Sequence, residues 1–138
     1  MTSLTSGTIY STSAQTIYDE ACRDLGWDTT KRKLFGTMTD LYAEIKAHGK
    51  EFGVWFISKS NWNGKDTPLW KNIIDIPLVH QITTNIDHAF VGKRHIRVIF
   101  ALDKKGNYQF IGVYKRKLIN LDEMKETFEL ISDTYPTI

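Results

Sequence analysis

The sequence predicts an α+β fold, a curled antiparallel sheet or small β-barrel flanked by helices at both ends. Three observations predict it. Helical periodicity bounded by capping residues marks the beginning of the chain, residues 39–48 and the end. β-prone runs fill the middle, and one of them, Ile96-Arg97-Val98-Ile99-Phe100-Ala101-Leu102, is apolar on both faces. The first helix opens at Thr12-Ser13-Ala14-Gln15, a capping-box pattern in which hydroxyl and amide satisfy each other's backbone donors. Ile17, Ala21 and Leu25 then recur every four residues, and Gly26 fits a left-handed stop. The second predicted helix carries Leu41, Ile45 and His48 on one stripe and ends at Gly49. The third starts at Asn120, carries Leu121, Met124, Phe128 and Ile131, and must end before Pro136.

Between the last two helices the period changes to two. Gly53-Val54-Trp55-Phe56-Ile57-Ser58 reads as a short strand. Ile73-Ile74-Asp75-Ile76 follows, halted by Pro77, and then Leu78-Val79-His80-Gln81-Ile82-Thr83. Residues 95–102 and 108–114 form a hairpin through Asp103-Lys104-Lys105-Gly106-Asn107, a five-residue loop with Gly-Asn at its end. Ile96, Val98, Phe100 and Leu102 take one face of its first strand, Ile99 and Ala101 the other.

The 138 residues make one domain by size, read as a helical N-terminal part (1–50), a β-rich core (51–117) and a C-terminal helix (118–138). Residues 1–50 alternatively form a separate helical appendage, because all the strand signals follow them. Apolar residues at 41% and aromatics at 12% exclude a disordered chain. A domain of this length folds without disulfide or metal, and the single cysteine, Cys22, fits a reducing compartment. No apolar run reaches the roughly 18 residues of a membrane span, and Met1-Thr2-Ser3-Leu4-Thr5-Ser6 lacks the basic and apolar parts of a signal peptide. The expectation is a cytoplasmic protein with no membrane partner.

The net charge of +2 hides an asymmetry. Between Gly92 and Lys117 stand Lys93, Arg94, Arg97, Lys104, Lys105, Lys115, Arg116 and Lys117 against Asp103 alone, a balance of 8 − 1 = +7 that leaves −5 for the rest. After Lys117 the chain carries Asp122, Glu123, Glu126, Glu129 and Asp133 against Lys125. A basic block of this kind is the footprint of a polyanion-binding face. It equally fits an edge hairpin that uses lysines to resist aggregation.

Catalytic signatures are weak. Glu44-Ile45-Lys46 and Glu123-Met124-Lys125 are acid-x-lysine triplets of the sort that metal-dependent nucleases place on a strand, but both fall in predicted helices. Gly7-Thr8-Ile9-Tyr10 matches half of a GIY-YIG signature, and the second half is missing. His80, His88 and His95 lack the short helical spacing of metal sites and have no cysteine nearby, so no metal or other cofactor is expected. Cys22, with Ala21 and Leu25 as helical neighbours, reads as a buried thiol.

The segment Ser58-Lys59-Ser60-Asn61-Trp62-Asn63-Gly64-Lys65-Asp66-Thr67-Pro68-Leu69-Trp70 is polar and turn-rich yet carries two tryptophans. Rings beside amides and hydroxyls can stack a base and read its edge. The alternative is that Trp62 or Trp70 plugs the end of the barrel; Trp70, beside Ile73 and Ile74, favours the core, and Trp62, between two asparagines, fits either role.

Arg97-Val98-Ile99-Phe100-Ala101-Leu102, the Lys-Gly-Asn turn and Tyr108-Gln109-Phe110-Ile111-Gly112-Val113-Tyr114 together resemble small PUA-like or SRA-like β-barrel modules, over residues 52–117. The resemblance implies a barrel that binds nucleic acid and in some members holds a modified or flipped base between aromatic side chains. Such modules accompany restriction nucleases and helicases in bacterial and phage genomes, with catalysis left to a fused or partner domain. The leading expectation is therefore a non-catalytic nucleic-acid-binding module linked to restriction or phage defence. Lys93, Arg94, Arg97, Lys115 and Arg116 would meet phosphates, and Asn61 and Trp62 a base. The alternatives are a small phage-encoded inhibitor that binds a host defence protein, and a metal-dependent nuclease.

Overall fold

The computed structural model describes residues 1–29, 33–37, 40–58, 70–83 and 95–137. Strands β1 (Leu4–Thr5) and β2 (Ile9–Tyr10) precede the helix α1 (Ala14–Asp24), and β3 (Phe35–Thr37), β4 (Asp40–Ala47) and β5 (Lys50–Ser58) follow it. Then come β6 (Trp70–Asp75), β7 (Leu78–Thr83), β8 (Ile96–Leu102), β9 (Tyr108–Asn120), β10 (Lys125–Ser132) and β11 (Thr134–Tyr135). The main sheet has the order β3-β4-β5-β8-β9-β10-β7-β6, with β2 on the start of β9 and a small β1–β11 ladder beside it. Its neighbours are antiparallel except β5 and β8, which run parallel because the β6–β7 hairpin intervenes between them in the chain.

The sheet folds back on itself. Trp55 on β5 and Phe128 on β10 are three strands apart in the sheet order, about 14 Å if the sheet were flat, yet their ring centroids lie 5.5 Å apart. Gln81 on β7 even reaches Asp40 on β4, at 2.6 Å. The long β9 makes this possible by serving two partners, pairing with β8 along its first half and with β10 along its second. Register shifts on both sides of it, between Ile99 and Phe100 and between Leu130 and Ser132, add local bend. Gly112 sits there with φ 125°, and an added Cβ would lie 2.4 Å from Leu130 Cδ1 and 3.0 Å from the Ser132 carbonyl oxygen.

Two cores result. On the outer face α1 lays Ile17, Tyr18, Ala21, Cys22 and Leu25 against Ala43, Ile45, Phe52, Val54, Val98 and Phe100. On the inner, concave face Trp55, Ile57, Ile99, Ala101, Ile111 and Tyr114 meet Val79 and Phe128 of the folded-back half. Strand β8 is thus buried on both faces, as its double apolar pattern implies.

The predicted fold class needs correction. The chain is mostly β among the described residues, with α1 as its helix; the flanking helix expected at the C-terminal end and the second N-terminal one are strands, and no ladder joins β3 to β6 to close a barrel. Residues 40–47 form β4, with Ala43, Ile45 and Ala47 buried at a period of two. Residues 125–132 form β10, hydrogen-bonded to β9 and β7. The stripes that suggested helices alternate steps of three and four, and the steps of four are Leu41 to Ile45 and Met124 to Phe128. That interval returns to the same face of a strand as well as of a helix, so it does not discriminate between them. The first helix stands, with Ser13 as the N-cap accepting from the Thr16 N–H at 3.1 Å, one residue later than the capping-box reading, and with Gly26 at φ 68° after its end. Leu78–Thr83 and the hairpin around 103–107 form as expected, β9 running six residues further.

Candidate functional site

The basic block is broken up by the fold. Lys104 and Lys105 stand exposed on the β8–β9 turn, where the Asp103 carboxylate is turned inward to accept the backbone N–H groups of Lys105 (2.8 Å) and Asn107 (2.9 Å). Lys115 and Lys117 lie exposed near the middle of β9. Antiparallel pairing sets the acids of β10 beside them: Glu129 faces Lys115 in register and binds Lys117 Nζ at 2.9 Å. Arg116 donates from Nε and Nη2 to one Glu126 oxygen, both at 2.9 Å, and its Nη1 lies 3.3 Å from His95 Nδ1. The linear separation of +7 and acidic tail therefore becomes cross-strand neighbourhood.

Arg97 is placed in the interior, 2% exposed. Its guanidinium carbon lies 4.6 Å from the Phe128 ring centroid, 4.7 Å from Trp55 and 5.1 Å from Tyr42. Stacking on three rings offsets part of the desolvation of a cation that no protein environment readily deprotonates. Burial nevertheless pushes its pKa down, opposed by Tyr42 and Glu126. Asn61, Trp62, Lys93 and Arg94 lie outside the described residues, as does His88; residues 93 and 94 join the described chain at His95, next to Arg116. Of the predicted site residues the structure thus leaves Lys115 exposed on one face of β9, turns Arg116 to the other face against Glu126 and Phe128, and sends Arg97 to the concave core.

Around Arg97 lies a polar cluster that sequence reasoning missed. Asp40 accepts from the Trp55 indole N–H and from Gln81 Nε2, and the same Gln81 amide nitrogen reaches Asn72 Oδ1 at 3.2 Å. Asp40, Asn72, Gln81, Arg97 and Glu126 are all buried. Two cations, Arg97 and Arg116, face two carboxylates, Asp40 and Glu126, so the interior is close to neutral when all are ionised. Burial raises the Asp40 pKa to about 6, against the lowering effects of Trp55, Arg97 and Gln81. The cluster ties β4 and β5 to β6, β7 and β10. A signal for it was present: Arg97 shares the parity of Ile99 and Ala101, the second apolar face of its strand.

The other candidates separate. Glu44 and Lys46 fall on a strand after all, but both are exposed and Lys46 pairs with Glu51 at 3.3 Å. Glu123 pairs with Lys125 across the β9–β10 turn. His80 Nδ1 lies 2.9 Å from Thr127 Oγ1, and burial followed by Lys125 lowers its pKa. Among the described residues no three His, Cys, Asp or Glu side chains converge as a metal site would require, and no helix is long and apolar enough to cross a membrane. No protein-family model matches the chain, and no curated protein matches it.

Proposed function

We propose that the protein is a non-catalytic nucleic-acid-binding module whose phosphate-contacting surface lies on the middle of β9, where Lys115 and Lys117 stand exposed. The observation that supports this reading is that Lys115 and Lys117, two residues apart on one strand, both stand exposed. Arg116 acts there as a positioning residue: its ion pair with Glu126 holds the strand, and His95 lies against its far nitrogen. The Lys117–Glu129 pair is solvent-exposed, worth at most about 1 kcal/mol, so a phosphate can replace the carboxylate.

A salt titration tests the reading. Affinity for a duplex oligonucleotide should fall with salt, each phosphate neutralised adding about 0.9 to the logarithmic slope. Lys115→Ala with Lys117→Ala should flatten that slope by roughly 2 units, while Lys104→Ala with Lys105→Ala, at the far end of the hairpin, should leave it unchanged. Loss of slope in the second pair and not the first would move the contact to the turn. No salt-dependent binding to single- or double-stranded DNA or RNA would end the proposal.

A further inference from the structure

The two ends of β9 carry surfaces of complementary character. At the β9–β10 tip, Leu118 is 56% exposed, Ile119 38% and Leu121 63%, followed by the exposed acids Asp122 and Glu123. At the opposite end Ile9, 56% exposed, forms a cleft of about 490 Å³ with Asp103, Lys104, Lys105 and Asn107. Leu118 and Ile119 close β9 and Leu121 opens the turn after it, and exposed apolar side chains gathered at one hairpin end mark contact surfaces. The tip joins them to negative charge; the cleft joins one apolar side chain, Ile9, to two lysines, whose charge Asp103, bound by the backbone N–H groups of its own turn, offsets in part.

The 13 residues of β9 separate the two surfaces by up to about 40 Å at the usual strand rise. They cannot meet within one copy. We propose that the occupant of the cleft is the β9–β10 tip of a second copy of this chain, with Leu121 against Ile9 and Asp122 and Glu123 facing Lys104 and Lys105. Lys125, which pairs with Glu123, offsets part of the tip's charge but not that of Asp122. Such a contact uses different surfaces on its two partners, so it repeats from copy to copy and builds a ring or a filament rather than a closed two-fold dimer. It does not rest on the nucleic-acid reading, and the lysines it uses are not those assigned to phosphate.

Sedimentation velocity on the full chain, free of nucleic acid and across a concentration series, tests it. The mass of the wild-type assembly should rise with concentration past that of two copies. A tip variant (Leu118→Ser with Leu121→Asp) and a cleft variant (Lys104→Glu with Lys105→Glu) should each stay monomeric. All four positions are exposed, so both variants should retain the wild-type melt. Mixed in equal amounts, the variants should form a two-copy complex and nothing larger, because one intact tip and one intact cleft remain. A wild-type chain that is monomeric at every concentration, a variant that assembles like wild type, or a mixture that stays monomeric would each overturn the proposal.

Discussion

Asp40 shows how a single side chain couples the fold to pH. Its carboxyl is buried among Trp55, Gln81 and Arg97, and its pKa in the folded protein, about 6, lies above the ordinary value of 3.8. Between those two values the folded state holds a proton that the unfolded chain releases. Stability contributed at this position is therefore greatest below pH 4 and falls as pH rises to 6, by about 3 kcal/mol at 1.36 kcal/mol per unit. His80 works in the opposite sense, since its lowered pKa makes the folded state gain stability as pH rises. Asp40→Asn removes only the first effect: an amide still accepts from the indole, and Gln81 and Asn72 can turn their amides to match. Urea unfolding of both proteins from pH 4 to 8 should show the variant gaining on wild type through that window, by roughly 3 kcal/mol in total. Parallel profiles would mean that the Asp40 carboxyl titrates normally. None of this was legible from the sequence, in which Asp40 and Gln81 are 41 positions apart and only the fold-back of the sheet joins them. Arg97 was legible in principle, because a cation between two apolar faces has no surface to reach.

Single strands and turns carry the next level of information. The strand at 78–83 and the hairpin around 103–107 were readable because their evidence is local: β-prone runs, and Gly-Asn closing a short loop. β4 and β10 were not. Alanine, glutamate and lysine favour helices when nothing else decides, and pairing on both edges overrode that preference: β4 lies between its chain neighbours β3 and β5, and β10 between its neighbour β9 and the distant β7. Gly112 marks where β9 passes from one partner to the other, and two costs converge there. A side chain at φ 125° is strained by about 1–2 kcal/mol, and its Cβ would collide with Leu130 and the β10 backbone, adding about 1–3 kcal/mol of overpacking. Gly106→Ala, at φ 84° with no heavy atom within 4 Å of the new Cβ, meets only the strain. Gly112→Ala should thus destabilise by roughly 2–5 kcal/mol and Gly106→Ala by 1–2 kcal/mol. Equal losses in chemical denaturation would show that the bend of β9 has room to spare.

At the level of the whole molecule the two cores share β5, β8 and β9 but fail differently. Phe100 lies on the outer face, fully buried, its ring stacked on Phe56 at 4.7 Å and edge-on to Tyr10 at 5.9 Å. Removing it opens a void under α1 at the centre of the sheet, and Phe100→Ala should cost about 3–5 kcal/mol, a large part of the 5–15 kcal/mol that holds a domain of this size. Because β8 is common to both cores, every protected amide should then exchange faster together. Gln81 stands instead where the folded-back half meets β4. Gln81→Ala takes one donor from the buried Asp40 carboxylate and breaks the bridge to Asn72, a loss of about 1–3 kcal/mol. That loss falls on β6 and β7, which join the sheet through β10 at its far end. Native-state hydrogen exchange should therefore find amides of β6 and β7 exposed more often in Gln81→Ala, with those of α1 and β8 nearly as protected as before. If α1 loosened equally with β7, the two halves would unfold as one unit, and the Asp40 cluster would have to be regarded as part of the global core rather than as the latch that keeps the sheet curled.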